Sequence, residues 1–144
     1  MRVAVAADHG GLEFKNRLLR YLRESGIEAD DFGTSSEESC DYPDYGMPAV
    51  ESVVGGAHQR AILICTNGIG MCMLANRHPE IRAALVYNER TARMTREHHD
   101  SNVLCLGGGE FEAEELLRFV DVWLRTEFAG GRHARRIKKF SDYS

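Results

Sequence analysis

No stretch of this 144-residue chain is apolar for long enough to cross a bilayer, and its first residues lack a signal-peptide pattern. A soluble cytoplasmic protein with no membrane partner is expected. The four cysteines, Cys40, Cys65, Cys72 and Cys105, lack the paired close spacing of a zinc site or of a disulfide-dense scaffold, so reduced thiols are expected. An excess of positive charge is missing too. The net charge is −4 with acids and bases interspersed, which excludes a sequence-wide basic surface for nucleic acid. The local exception is GGRHARRIKK, residues 130–139, a basic cluster suited to a small anionic ligand. Internal repeats, linkers and low-complexity segments are also lacking. With 43% hydrophobic residues, the length suits one α/β domain over residues 1–144 and is too short for two.

What is present alternates. Arg2 to Ala7 reads as a short apolar strand, and Gly10 to Ser25 as a helix with Phe14, Leu18, Leu19 and Leu22 at helical spacing before Gly26. Ile27 to Phe32 is a second strand, Gly33 to Tyr45 a polar surface loop, and a helix begins at Pro48 and runs to Val54. Strands are predicted at Ala61 to Cys65, Arg82 to Tyr87 and Asn102 to Leu106, with a polar helix from about Glu89 to His98 before the last. A long amphipathic helix carries Ala113, Leu116, Leu117, Val120, Trp123 and Leu124 on one face, and the basic tail follows. Strict β/α alternation argues for a Rossmann-like three-layer αβα domain: a five-stranded parallel sheet, helices on both faces, and a C-terminal basic helix.

The segment AILICTNGIGMCMLANR, Ala61 to Arg77, carries the most chemistry. An apolar strand ends in Cys65 and passes into a glycine-punctuated turn at Gly68 and Gly70, where several amide N–H groups can converge near a helix start. A cysteine at the carboxyl end of a parallel strand sits where open α/β sheets place their ligands, and nearby amides favour its thiolate. Cys72 and Cys105 read equally well as core filler. The loop is not a G-x-x-x-x-G-K-[ST] phosphate loop. A cysteine-type phosphatase would need arginine six positions after the cysteine, and that position is Met71. The segments ADHGG, CTNGIG and the stretch around EHHDSN are expected to gather along one sheet edge, bringing Asp8 and His9 into the same crevice as His98 and His99.

The set VAVAADHGG, DFGT followed by DYPDY, LICTNGIGMCMLANR, IRAALVYN, REHHDSNVL and EFAGGRHARRIKK resembles the ribose-5-phosphate isomerase type B family, which includes galactose-6-phosphate isomerase subunits. The match runs nearly end to end. The resemblance implies interconversion of phosphorylated aldoses and ketoses in carbohydrate metabolism, with no metal and no organic cofactor. It also implies a homodimer or a dimer of dimers with active sites at the subunit boundary. On that reading Cys65 is the base that moves a proton between C2 and C1 through an enediolate, and Thr66, Asn67, Gly68, Ile69 and Gly70 form the anion loop. His98 matches the ring-opening residue, Asp8 and His9 hold the sugar, and Arg132 and Arg136 match the phosphate-contacting arginines, spaced to share one helical face. Tyr42 is either a loop anchor or a substrate contact. The tail arginines can also be read as a solvated face.

The chain departs from the family at three substrate-facing places. Thr66 and Asn67 stand where Gly-Thr or Gly-Ser is usual, and the Asn67 amide donates hydrogen bonds but is a poor proton shuttle, so it reads as a stabiliser rather than an acid. His99 stands where an asparagine is common. Gly107 to Gly109 occupy the neighbourhood of an arginine that often follows the fifth strand. Ribose 5-phosphate and ribulose 5-phosphate are the default pair. A different four- to six-carbon sugar phosphate, or a noncatalytic sugar-phosphate-binding subunit, is the alternative.

Overall fold

A computed structural model describes residues 1–143. Its centre is a sheet of five parallel strands: β1 (Arg2–Ala7), β2 (Glu28–Asp31), β3 (Arg60–Cys65), β4 (Ala83–Leu85) and β5 (Val103–Gly107), in spatial order β2-β1-β3-β5-β4. Helices α1 (Leu12–Glu24), α2 (Tyr42–Val54), α3 (Ile69–Ala75) and α4 (Glu89–His99) make the four crossovers, and α5 (Ala113–Arg125) follows β5 and packs back on the sheet. A short basic helix, α6 (Arg132–Lys138), and a 3-10 turn at Lys139–Tyr143 follow.

The strands read as continuous apolar runs because both faces are covered, and their period of two divides the side chains between two cores. Val3, Val5, Ala7, Ile62, Ile64, Leu104 and Leu106 pack against Phe14, Leu18 and Leu22 of α1 and against Leu116, Phe119, Val120 and Trp123 of α5. Ala4, Ala6, Ala61, Leu63, Cys65, Val103 and Cys105 face the other way, onto Ala49 and Val50 of α2 and Met71 and Ala75 of α3. The small side chains on this second face let α2 and α3 lie close to the sheet. Cys65 therefore belongs to the α2/α3 layer, and its backbone lies opposite Gly107 in the β3–β5 register.

Three boundaries differ from expectation. The loop expected over Gly33 to Tyr45 ends sooner, because α2 begins at Tyr42 rather than Pro48. Pro43 falls in the first helical turn, where a missing N–H costs nothing, and Pro48 is absorbed inside the helix. Strand β4 is only Ala83–Leu85, a short edge strand. Gly10 and Gly11 form a 3-10 turn before α1, and the Asp8 carboxylate caps that turn by accepting from the Gly10 N–H at 2.9 Å.

Candidate active site

Order reversal in the sheet falls between β1 and β3, so their exits diverge and leave a crevice at the carboxyl edge. Three loops line it. The Asp8 N–H donates to the Ile64 carbonyl at 3.2 Å, the Gly108 N–H to the Cys65 carbonyl at 2.8 Å, and the Gly109 N–H to the Thr66 carbonyl at 2.9 Å. These bonds lock the exits of β1, β3 and β5 against one another. Cys65 is 5% exposed, and its sulfur accepts the Gly68 N–H at 3.2 Å. That contact requires the left-handed backbone of Gly68, with φ of 82°, which turns the chain from β3 into α3.

The rest of this edge is arranged around the turn. The Asn67 side-chain oxygen accepts the Ile69 N–H at 3.0 Å, so its amide NH2 is the end left to donate to a ligand. The Tyr42 phenol covers Gly70, where a Cβ would come within 2.7 Å of the hydroxyl. His9 Nδ1 accepts the Cys40 N–H at 3.2 Å, which leaves Nε2 as the protonated, donating nitrogen of the neutral ring. Asp8 is buried beside it. Nine of the residues named from sequence, Asp8, His9, Tyr42 and the run from Cys65 to Gly70, thus share one edge.

His98, His99, Arg132 and Arg136 do not. Helix α4 returns from the carboxyl edge, so its last turn lies at the amino edge, where Arg82 Nε donates to the His99 carbonyl at 2.8 Å. The Asn102 carbonyl accepts the N–H of Ala61, the second residue of β3, at 3.1 Å. Cys65 lies four strand residues further on, about 13 Å along the sheet. The expectation that EHHDSN would join ADHGG and CTNGIG in one crevice of one subunit is corrected: residues that precede a parallel strand lie at the end opposite those that follow one. Helix α6 packs on α4 at the amino edge, with the His133 ring stacked on His98 at 4.1 Å between centroids and 11° between planes. Arg132 and Arg136, exposed on that helix, present their guanidinium groups beside the stacked pair.

His133 had no assigned role in the sequence reading; its place between Arg132 and Arg136 was the available signal. Burial lowers its pKa, and the positive charge of His98, Arg132, Arg136 and His99 lowers it further. The His99 pKa is likewise lowered, first by burial and then by His98. Neutral rings are thereby favoured beside permanently charged arginines. A cavity of about 630 Å³ runs along β4 between Arg77, Arg82, His99 and Phe140 and does not include Cys65. A smaller one, about 370 Å³, lies beside Asn67, Ile69, Tyr87 and Glu110 at the carboxyl edge. Chemistry rather than size places the candidate site. Among the described residues no group of three or more His, Cys, Asp or Glu is placed to hold a metal ion, and no helix is long and apolar enough to cross a membrane.

The Ribose/Galactose Isomerase family matches residues 3–140. The chain belongs to that family. Ribose-5-phosphate isomerase B of Escherichia coli K12 is 36% identical over 137 residues, covering 95% of this chain and 92% of the relative. The structure of Clostridium thermocellum ribose-5-phosphate isomerase B superposes with a TM-score of 0.97 at 43% identity, covering 100% of both chains. That of the Mycoplasma genitalium enzyme, solved with bound ribulose-5-phosphate, gives 0.95 at 36% identity over 99% of this chain and 95% of that one. The five-stranded parallel sheet with helices on both faces is therefore the fold of these isomerases.

Proposed function

We propose that this chain is an aldose–ketose isomerase of phosphorylated sugars, with ribose 5-phosphate and ribulose 5-phosphate as the default pair. The observation that carries the reading is Cys65, held at the carboxyl end of β3 with the Gly68 N–H on its sulfur. In the aldose-to-ketose direction the Cys65 thiolate takes the proton from C2, the O2 hydroxyl proton passes to O1 within the enediolate, and the resulting Cys65 thiol delivers its proton to C1. The negative charge that develops on the enediolate oxygens between the two carbon proton transfers is met by the Asn67 NH2 and by the amide N–H groups of this turn other than those of Gly68 and Ile69. Asp8 and the His9 Nε2–H hold sugar hydroxyls. Before that step the sugar ring must open, with a proton given to the ring oxygen and another taken from the anomeric hydroxyl, which is the role we give His98. Arg132 and Arg136 hold the phosphate through charge-assisted bonds.

The base and the phosphate grip lie at opposite sheet edges of one chain, which supports a site shared between two copies: Cys65 and its loop from one, His98, Arg132 and Arg136 from the other. Twofold symmetry would complete two such sites at once. The four free cysteines suit a reducing cytoplasm. Thr66, Asn67, His99 and Gly109 are the positions that favour a second reading, in which the preferred sugar phosphate is not ribose 5-phosphate.

A coupled assay over phosphorylated aldoses and ketoses tests the activity, with Cys65→Ala expected to lose about 10²- to 10⁴-fold in kcat, the usual contribution of a positioned base. Equal turnover by that variant removes Cys65 from the mechanism. Failure of the native protein to exchange solvent deuterium into C2 of any bound sugar phosphate would make it a binder rather than an enzyme. The shared site is tested by mixing Cys65→Ala with His98→Ala after mild dissociation. Random pairing should restore roughly a quarter of native activity, since half the dimers are hybrids and each hybrid holds one intact site. No recovery on mixing would rule out the sharing.

A further inference from the structure

We propose that Thr66 is the specificity-determining residue of this site, a filler that restricts it to sugar phosphates of four or five carbons. The inference rests on the isomerase reading above and adds a limit on substrate length. Thr66 directly follows Cys65 and points into the gap between the other two loops of the carboxyl edge. A Cβ built on Gly10 would collide with the Thr66 hydroxyl oxygen, and one on Gly109 would stand 3.1 Å from its methyl carbon and 3.2 Å from its carbonyl oxygen. The two branches of one side chain therefore occupy two slots that glycine leaves open on either side. The β-branch restricts χ1, so the two branches keep these places together.

The wedge is also in the right place to measure a substrate. The Gly10 slot lies 3.3 Å from the buried Asp8 carboxylate, and the Gly109 slot is closed by the bond from the Gly109 N–H to the Thr66 carbonyl. Side chains on these three loops are few. Between Asp8 and Gly11, Thr66 and Gly68, and Gly107 and Gly109, only Asp8, His9, Thr66 and Asn67 carry one, and Asn67 is tied to the Ile69 N–H. Thr66 is thus the removable bulk beside the base. A sugar with one more CHOH group needs additional volume close to Cys65, and the Thr66 methyl and hydroxyl occupy it.

The test compares the native protein with Thr66→Gly and Thr66→Ser on aldose phosphates of four, five and six carbons. The native protein should favour four or five carbons. Thr66→Gly should raise kcat/KM for six carbons relative to five by about tenfold or more, the scale on which pockets discriminate one carbon unit, with Thr66→Ser between the two. Packing is read separately by thermal melting: Gly10→Ala should lower Tm in the native background and be tolerated when combined with Thr66→Gly. An unchanged length preference in a folded Thr66→Gly variant overturns the proposal, and so does a native protein already faster on six carbons, or an equal cost of Gly10→Ala in both backgrounds. A native protein that turns over none of the sugars refutes the isomerase reading itself, and the length limit falls with it.

Discussion

The turn at Gly68 makes a quantitative prediction because its cost has two separable sources. Gly68 has φ of 82°, and so nearly does Gly26, at 80°, just beyond α1. Their surroundings differ completely. A Cβ at Gly68 would lie 2.7 Å from Leu85 Cδ1, 2.9 Å from the Leu106 carbonyl carbon and 3.1 Å from its oxygen, whereas nothing lies within 4 Å of the same atom at Gly26. Leu85 can rotate aside; the Leu106 backbone, hydrogen-bonded inside β5, cannot. The left-handed conformation costs an L-residue about 1–2 kcal/mol, and Gly26→Ala should cost no more than that. Overpacking against a fixed backbone adds about 1–3 kcal/mol, which places Gly68→Ala at roughly 2–5 kcal/mol.

Both variants gain the same small benefit from a stiffer unfolded chain, so the difference between them isolates the crowding. For a chain of this size each kcal/mol lowers Tm by roughly 3 °C, so Gly26→Ala should melt about 3–6 °C low and Gly68→Ala about 6–15 °C low. Calorimetry on the two purified variants reads the difference directly. Activity should diverge further, because the displaced Gly68 N–H no longer meets the Cys65 sulfur, while Gly26 is remote from the site. Equal melting temperatures would show that the Leu106 backbone yields, and the argument for a rigid floor beneath Cys65 would fail.

Three further expectations follow from polar and titratable groups. Trp123→Phe removes the indole N–H that donates to Ser101 Oγ at 2.9 Å inside the core, and urea unfolding should register about 1–3 kcal/mol. Asp31→Ala strands the buried Lys15 ammonium, now paired at 2.8 Å, and should cost more than Lys15→Met, which removes the charge instead. About 2–3 kcal/mol is expected for Asp31→Ala, below the usual cost of breaking a fully buried pair, because the Asp31 side chain is 36% exposed and water screens it. His99 and His133 have lowered pKa values in the folded state, so the unfolded chain takes up protons first. The stability they contribute is present above about pH 6.5 and is lost as pH falls through their folded values; His99→Asn should flatten the slope of unfolding free energy below about pH 6.5. An unaltered slope would mean that His99 does not titrate differently on folding.

The carboxyl half of the site was legible in the sequence because its physics is local. A run of apolar residues ending in Cys65 announces a doubly covered strand, and Gly68 and Gly70 announce the turn; both signals lie within ten residues and depend on backbone sterics alone. The start of α2 was not legible, since Tyr42, Pro43 and Asp44 carry loop-forming composition, and only tertiary packing, of Gly46 against Met71 and Leu74 of α3 and of Ala49 and Val50 in the core, reveals them as helix. The stack of His133 on His98 joins residues 35 positions apart, and no periodicity records it.

The position of His98 is informative about the enzyme for a different reason. EHHDSN signals proximity to a strand but not polarity: in a parallel sheet a residue after a strand and a residue before one are separated by the full strand length. Rotamer changes or loop closure within one subunit span a few ångströms, not the length of β3. Cys65 and the His98–His133–Arg132–Arg136 group therefore serve one substrate only if two chains associate with the carboxyl edge of each facing the amino edge of the other. On that reading the basic tail has a reason to be helical and docked on α4 rather than free. The His98–His133 stack orders the helix that carries Arg132 and Arg136, so that on this reading each chain presents a rigid phosphate grip to the Cys65 of its neighbour, its own Cys65 lying out of reach.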